Sequence, residues 1–316
     1  MARGQANSLR STDFGQVWFA ARCVLAGVDP YSLIGPHLPF NWDWPFVYPI
    51  TAALVAIPLT PFAESAASVL FVAIGAGCFA WTLMEHGYGP LFGFFALSTR
   101  EATAAAQWSP LIAASFAIPA VSIALVAKPT VGAALFVARP RWLAVVGGIA
   151  LTALAFLLQP TWVLHWQHAL QVYRLMEPSG SPFRAIVGFP GGVLALACLL
   201  RWRRPEARLV AALACVPVTV SAYETVPLLL VPRTFWETAL LVALGYAQAQ
   251  VTMIFVPVPW TTSEFIAVKG QLLVLSMYIP VTIMVLRRPN EGSVPAWLER
   301  LSVTLSTWVS GKSGTR

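Results

Sequence analysis

From Ile50 to Leu286 the sequence is a succession of apolar runs separated by short polar or basic joints, and any fold for this chain has to house nearly all of them. The runs are Ile50–Phe62, Ala66–Leu83, Tyr88–Leu97, Leu111–Ala127, Val131–Ala138, Trp142–Leu158, Gly188–Leu200, Leu209–Val220, Val226–Val231, Phe235–Phe255 and Gln271–Leu286. Of the 316 residues, 58% are hydrophobic and 10% charged, against roughly 25% charged in soluble domains. Mean hydropathy is +0.71. These values predict an all-α, polytopic membrane bundle. Continuous rather than alternating runs argue against a β-barrel. A full crossing needs about 20 residues, and several runs are shorter, so about eight to eleven transmembrane or re-entrant helices are expected.

The net charge of +7 does not call for a nucleic-acid partner, because the positives cluster in joints such as Arg139-Pro140-Arg141, Arg201-Trp202-Arg203-Arg204 and Arg287-Arg288. Such clustering is the positive-inside pattern, and it puts these joints on the cytoplasmic face. Residues 1–287 then read as one transmembrane helical domain with outer loops 1–48 and 159–187. Residues 288–316 read as a cytoplasmic tail, with a surface helix along Trp297, Leu301, Leu305 and Trp308. Moving the basic N-terminal segment outward calls for an apolar helix ahead of it, so either the segment is re-entrant or, the reading preferred, an upstream helix is missing from this version of the chain. Cys23, Cys78, Cys198 and Cys215 show no metal-ligand spacing and are read as packing residues.

The polar segment Thr12–Tyr48 precedes the runs. Val17, Trp18, Ala21, Val24 and Leu25 recur at helical spacing, Asp13 stands at a capping position with Gln16 three residues on, and Gly27, Asp29-Pro30 and Gly35-Pro36 end the helix. Asp13 is either a helix cap or a general base; Asp29 and Asp43 are further candidate carboxylates, Asp29 also reading as a turn residue before its proline. Lys128, in ALVAKPTVG, sits at a helix break and suits either a phosphate or a snorkelling role. Tyr223 and Glu224 lie between two short runs, where Glu224 either positions a substrate group or caps a helix. In the loop 159–187, Trp162, Trp166 and Leu170 form an interfacial face suited to the bilayer surface. His165, His168, Arg174 and Arg184 are candidates for contacting a polar or phosphorylated substrate. The two histidines have no third ligand nearby in sequence, so no metal and no cofactor is expected.

The segments DFGQVWFAARCVLAGVDPY, FVYPITAALVAIPLTPF, AAAQWSPLIAA, LVAKPTVGAALF, PRWLAVVGGIALTALAFLLQP and YETVPLLLVPRTFWE, in this order, resemble family 87 (DUF2029) of the bacterial GT-C membrane glycosyltransferases. The resemblance implies a GT-C bundle in the bacterial cytoplasmic (inner) membrane. It also implies inverting transfer of a hexose, mannose being the expected sugar, from a polyprenyl-phosphate donor to a glycolipid or envelope-glycan acceptor. Asp13 matches the family's catalytic aspartate and Lys128 its Lys-Pro feature. The partners implied are the lipid-linked donor, the acceptor and membrane lipids. A transporter or flippase, holding substrate at broken helices through Lys128 and Glu224, is the competing reading.

Overall fold

The computed structural model describes residues 12–176, 183–255 and 263–292, with 294 and 299 besides. The tail helix expected along Trp297–Trp308 lies outside these residues. The α-helices are α1 (Asp13–Leu25), α2 (Ile50–Ala56), α3 (Glu64–Leu83), α4 (Leu97–Ala104), α5 (Ser109–Ala113), α6 (Pro129–Ala138), α7 (Trp142–Leu158), α8 (Trp162–Met176), α9 (Pro205–Cys215), α10 (Phe235–Phe255), α11 (Ser263–Leu273) and α12 (Ile279–Leu286). A π-helical turn, Val274–Tyr278, joins α11 to α12. Between α1 and α2, β1 (Ile34–Gly35) and β2 (Phe40–Asn41) pair in parallel, Ile34 opposite Phe40.

Long 3-10 segments replace helix at Gly89–Phe95, Pro119–Ala127, Gly192–Arg201 and Ala222–Leu230. They account for the first correction to the sequence reading. At a rise of about 2.0 Å per residue, the 9 residues of Pro119–Ala127 fall well short of the ~30 Å hydrocarbon core of a bilayer. Prolines at 110, 119 and 129 cut what reads in sequence as long apolar runs into short pieces that pack on one another. Among the described residues 2 helical stretches are long and apolar enough to cross a membrane, Glu64–His86 and Ser263–Leu286. The count rises to 3 if α7 and α8, bent by 94°, form one span. The expected polytopic GT-C bundle of eight to eleven crossings is therefore not what this chain forms, and the multi-pass inner-membrane assignment built on it falls too.

The α1 start also differs in detail. Thr12, not Asp13, is the N-cap: its Oγ1 accepts a hydrogen bond from the Gly15 amide at 3.2 Å. Asp13 is thereby the first helical residue, and its carboxyl is not engaged in capping. Phe14, on the buried face of α1, stacks on Phe71 of α3 at 4.1 Å between ring centroids, and Trp108 meets Phe71 edge-on at 4.9 Å. Val17, Trp18, Ala21 and Val24 are buried as their spacing predicts, whereas Leu25 is exposed.

Gly132 brings α6 against the preceding 3-10 segment so closely that a Cβ there would overlap the Leu125 carbonyl oxygen. A backbone carbonyl cannot step aside as a side chain can. Gly132→Ala is therefore expected to lower stability by about 1–3 kcal/mol through overpacking, measurable as a drop in Tm. An unchanged Tm would mean that the junction before α6 is not rigid.

Candidate functional site

Lys128 ends the 3-10 segment and precedes Pro129, the first residue of α6. Proline disfavours helical backbone in the residue before it, so the break falls at Lys128 (φ −135°, ψ 80°). Its ammonium is thereby free to reach Glu224 in the first turn of Ala222–Leu230. The pair closes at 2.8 Å, and both side chains are largely buried. Lys128 also lies over the Tyr223 ring, 5.0 Å from its centroid. Glu101 anchors this segment by accepting from the Ala222 amide at 3.1 Å.

Asp13 faces the same space. Gln107 Nε2 donates to Asp13 Oδ2, and Tyr48 donates its hydroxyl to Gln107 Oε1 at 3.4 Å. Tyr48 is in turn held by its own carbonyl, which accepts from the Tyr31 hydroxyl at 3.0 Å. Burial, with Asp13 next in weight, pushes the Tyr48 phenol well up, so its hydroxyl stays protonated and keeps the Gln107 amide turned toward Asp13. For Asp13 itself burial is the largest influence. Lys128 and Gln107 oppose it without cancelling it, Glu224 reinforces it, and the carboxyl is raised from 3.8 to about 6.

These groups line a cavity of about 670 Å³, within the roughly 300–1,000 Å³ of small-molecule sites. Its wall is aromatic, with Trp42, Trp44, Trp166, Tyr173, Phe183 and Phe265. Helix α8 roofs it: Trp166 donates its indole N–H to the Val47 carbonyl at 2.8 Å, and Leu170 and Arg174 follow on the same face. The apolar face of α8 foreseen for a bilayer surface thus packs on protein, Trp162 being buried against Phe156 and Trp166. Arg174 and Lys269 complete the lining, and neither makes an ion pair among the described residues. Lys269 lies over the Phe265 ring instead, 5.5 Å from its centroid.

The structure therefore gathers Asp13, Asp43, Lys128, Arg174, Tyr223 and Glu224 around one space. The other sequence candidates do not line it. His165 Nδ1 lies 2.8 Å from Asp29 Oδ2, outside the cavity, where it ties α8 to the loop after α1. Asp29 Oδ1 meanwhile accepts from the Tyr31 amide as a turn carboxylate does. His168 is exposed, as is Arg184, whose backbone pairs with Val218 at the cavity edge. Among the described residues no three His, Cys, Asp or Glu side chains converge as metal ligands. Gln16, Gln107 and Lys269 are additions that the sequence reading missed. Lys269 carries the same signal as Lys128, a lone cation in an apolar neighbourhood.

No model of a known family, no curated protein and no solved structure matches this chain. The resemblance to family 87 of the GT-C glycosyltransferases is accordingly corrected: no comparison recognises the segments that carried it, and the helices do not supply its many-pass architecture. With it go the hexosyltransferase activity and the expected mannose transfer, which presupposed that architecture.

Proposed function

We propose that the cavity is a binding site for an amphiphilic anion, with Asp13 as the titratable acid–base group beside it. The observation that carries this reading is a cavity in which an aromatic wall meets two cations, Arg174 and Lys269, that close no ion pair among the described residues, Glu101 acting on Lys269 only at longer range. Lys128 contributes less net charge, because Glu224 already neutralises it. An apolar chain is accommodated by Trp42, Trp44, Trp166 and Phe265, while a phosphate or carboxylate head meets the guanidinium and ammonium. The lipid phosphate expected from the sequence belongs to this chemical class, as do simpler acyl or alkyl anions. Binding of this kind requires no sugar transfer.

Calorimetric titration with decyl phosphate tests the proposal, with decyltrimethylammonium as the oppositely charged control. Decyl phosphate is expected to bind the more tightly. The double variant Arg174→Gln, Lys269→Gln is expected to weaken it by about tenfold or more, the scale of a lost charge-assisted contact. Equal affinity for the two amphiphiles, or an unchanged affinity in the double variant, would sink the reading.

A further inference from the structure

Gln16 lies one helical turn beyond Asp13 on α1 and lines the same cavity. It is 3% exposed, and its amide oxygen has no hydrogen-bond partner. Its amide nitrogen is likewise unpartnered among the described residues. Buried amides are ordinarily paired, since burial removes the water that would otherwise satisfy them. Trp18, Ser98, Trp108 and Ser109 also hold buried unpaired polar atoms, but none of them lines the cavity. Glu224 Oε2 does, and Lys128 sits beside it. Gln16 is set apart by lining the cavity with an amide that no described residue engages.

The position narrows what can use it. Residues three apart on a helix share a face, with Cβ atoms about 5–6 Å apart, so one small ligand group can reach both side chains. An ionised carboxylate only accepts hydrogen bonds, whereas an amide can donate as well as accept. The group that bridges them must donate to Asp13 and can also accept from the Gln16 nitrogen. A hydroxyl does both. An ether or ester oxygen cannot donate, and an ammonium would meet Lys128, Arg174 and Lys269 across the same cavity. Gln107, held by Tyr48, already occupies one oxygen of Asp13, which leaves the other for such a group.

We propose that α1 holds a ligand hydroxyl between the Asp13 carboxylate and the Gln16 amide, so that the natural occupant is a hydroxyl-bearing amphiphile whose anionic group lies toward Arg174 and Lys269. This rests on the cavity being a ligand site. It adds a specificity determinant, Gln16, and a functional group that the ligand must carry. The hydroxyl takes up hydrogen-bonding capacity that the protein's own side chains leave unused, and a capped analogue would leave it unused in the complex.

The test compares 1-O-decylglycerol with its 2,3-di-O-methyl ether by calorimetric titration, alongside decyl phosphate. The wild-type chain is expected to prefer the diol by about tenfold or more, the scale of one or two hydrogen bonds to buried groups. In Gln16→Met, which keeps the length and removes the amide, the ratio should fall below about threefold. Gln16→Leu serves as a second apolar variant should the first fold poorly. A ratio unchanged in the variants overturns the proposal, as does a wild-type chain that binds decyl phosphate yet treats diol and ether alike. Binding of none of the three probes overturns the cavity reading itself.

Discussion

Replacing Glu206 by alanine is expected to cost about 3–5 kcal/mol of stability, because it strands buried arginines. Glu206, near the start of α9, is 5% exposed. Its Oε1 lies 3.1 Å from Arg204, 2.9 Å from Arg233 and 3.6 Å from Arg288, and Arg288 reaches Glu237 at 3.0 Å. The guanidiniums are bound into the fold by carbonyls as well. Arg204 donates to Pro289, Arg288 to Val231 and Arg201 to the Arg288 carbonyl, so α9, the end of α12 and the turn before α10 share one electrostatic joint. Burial alone would raise the Glu206 carboxyl. Its own backbone N–H and the three arginines outweigh burial and hold it below the usual carboxylate range. The sign follows: a depressed carboxyl contributes its stability above that range and loses it as pH falls through the folded value. The penalty of Glu206→Ala, read by denaturant or thermal unfolding at pH 7, should therefore shrink toward pH 3. Glu206→Gln, which keeps an acceptor, should cost less than alanine. A loss below about 1 kcal/mol in the alanine variant would put this cluster in the class of exposed ion pairs.

This joint shows how far the sequence could be read. The basic joints around Arg139, Arg201 and Arg287 were visible as charge clusters, and the structure ties them together: Arg208 bridges the first two by donating to the Ala138 and Trp202 carbonyls, and Arg201 donates to the carbonyl of Arg288. Glu206, two residues past Arg204, was not singled out, because nothing local marks a carboxylate as the partner of cations far along the chain. The helix over Asp13–Leu25 and the break at Lys128-Pro129 were legible, since capping, spacing and the proline constraint are local. The architecture was not. An apolar run reads the same whether it faces lipid or protein, so Leu111–Ala127 and Gly188–Leu200 looked like crossings although they fold as short 3-10 and helical pieces. At the site, isolated charges were recognisable by their expense in apolar surroundings. The amides of Gln16 and Gln107 carry no charge and gave no such signal, so their roles emerge only from the geometry around Asp13.

Asp13→Asn is expected to stabilise the chain at neutral pH while removing its response to acid. The folded carboxyl titrates at about 6, against 3.8 when unperturbed. Between these values the folded chain holds a proton that the unfolded chain has released, so stability falls as pH rises through this window and stays lowered above it. A shift of this size corresponds to at most about 3 kcal/mol, and the carboxyl keeps some access to water in the cavity, which brings the figure to about 1–3 kcal/mol. Asparagine has the same shape, can still accept from Gln107 and carries no charge to desolvate. The variant should therefore unfold at higher temperature than the wild type at pH 7.5 and at nearly the same temperature at pH 4. A destabilised variant at pH 7.5 would instead mean that attraction to Lys128 outweighs burial. Anion binding should follow the same charge: in the wild type, decyl sulfate, whose own charge is fixed over this range, should bind more tightly at pH 5 than at pH 8, because protonating Asp13 removes a negative charge from the cavity. That pH dependence should flatten in Asp13→Asn. The carboxylate is thus a group the fold holds at a cost to stability, as a site tuned for function rather than packing would be.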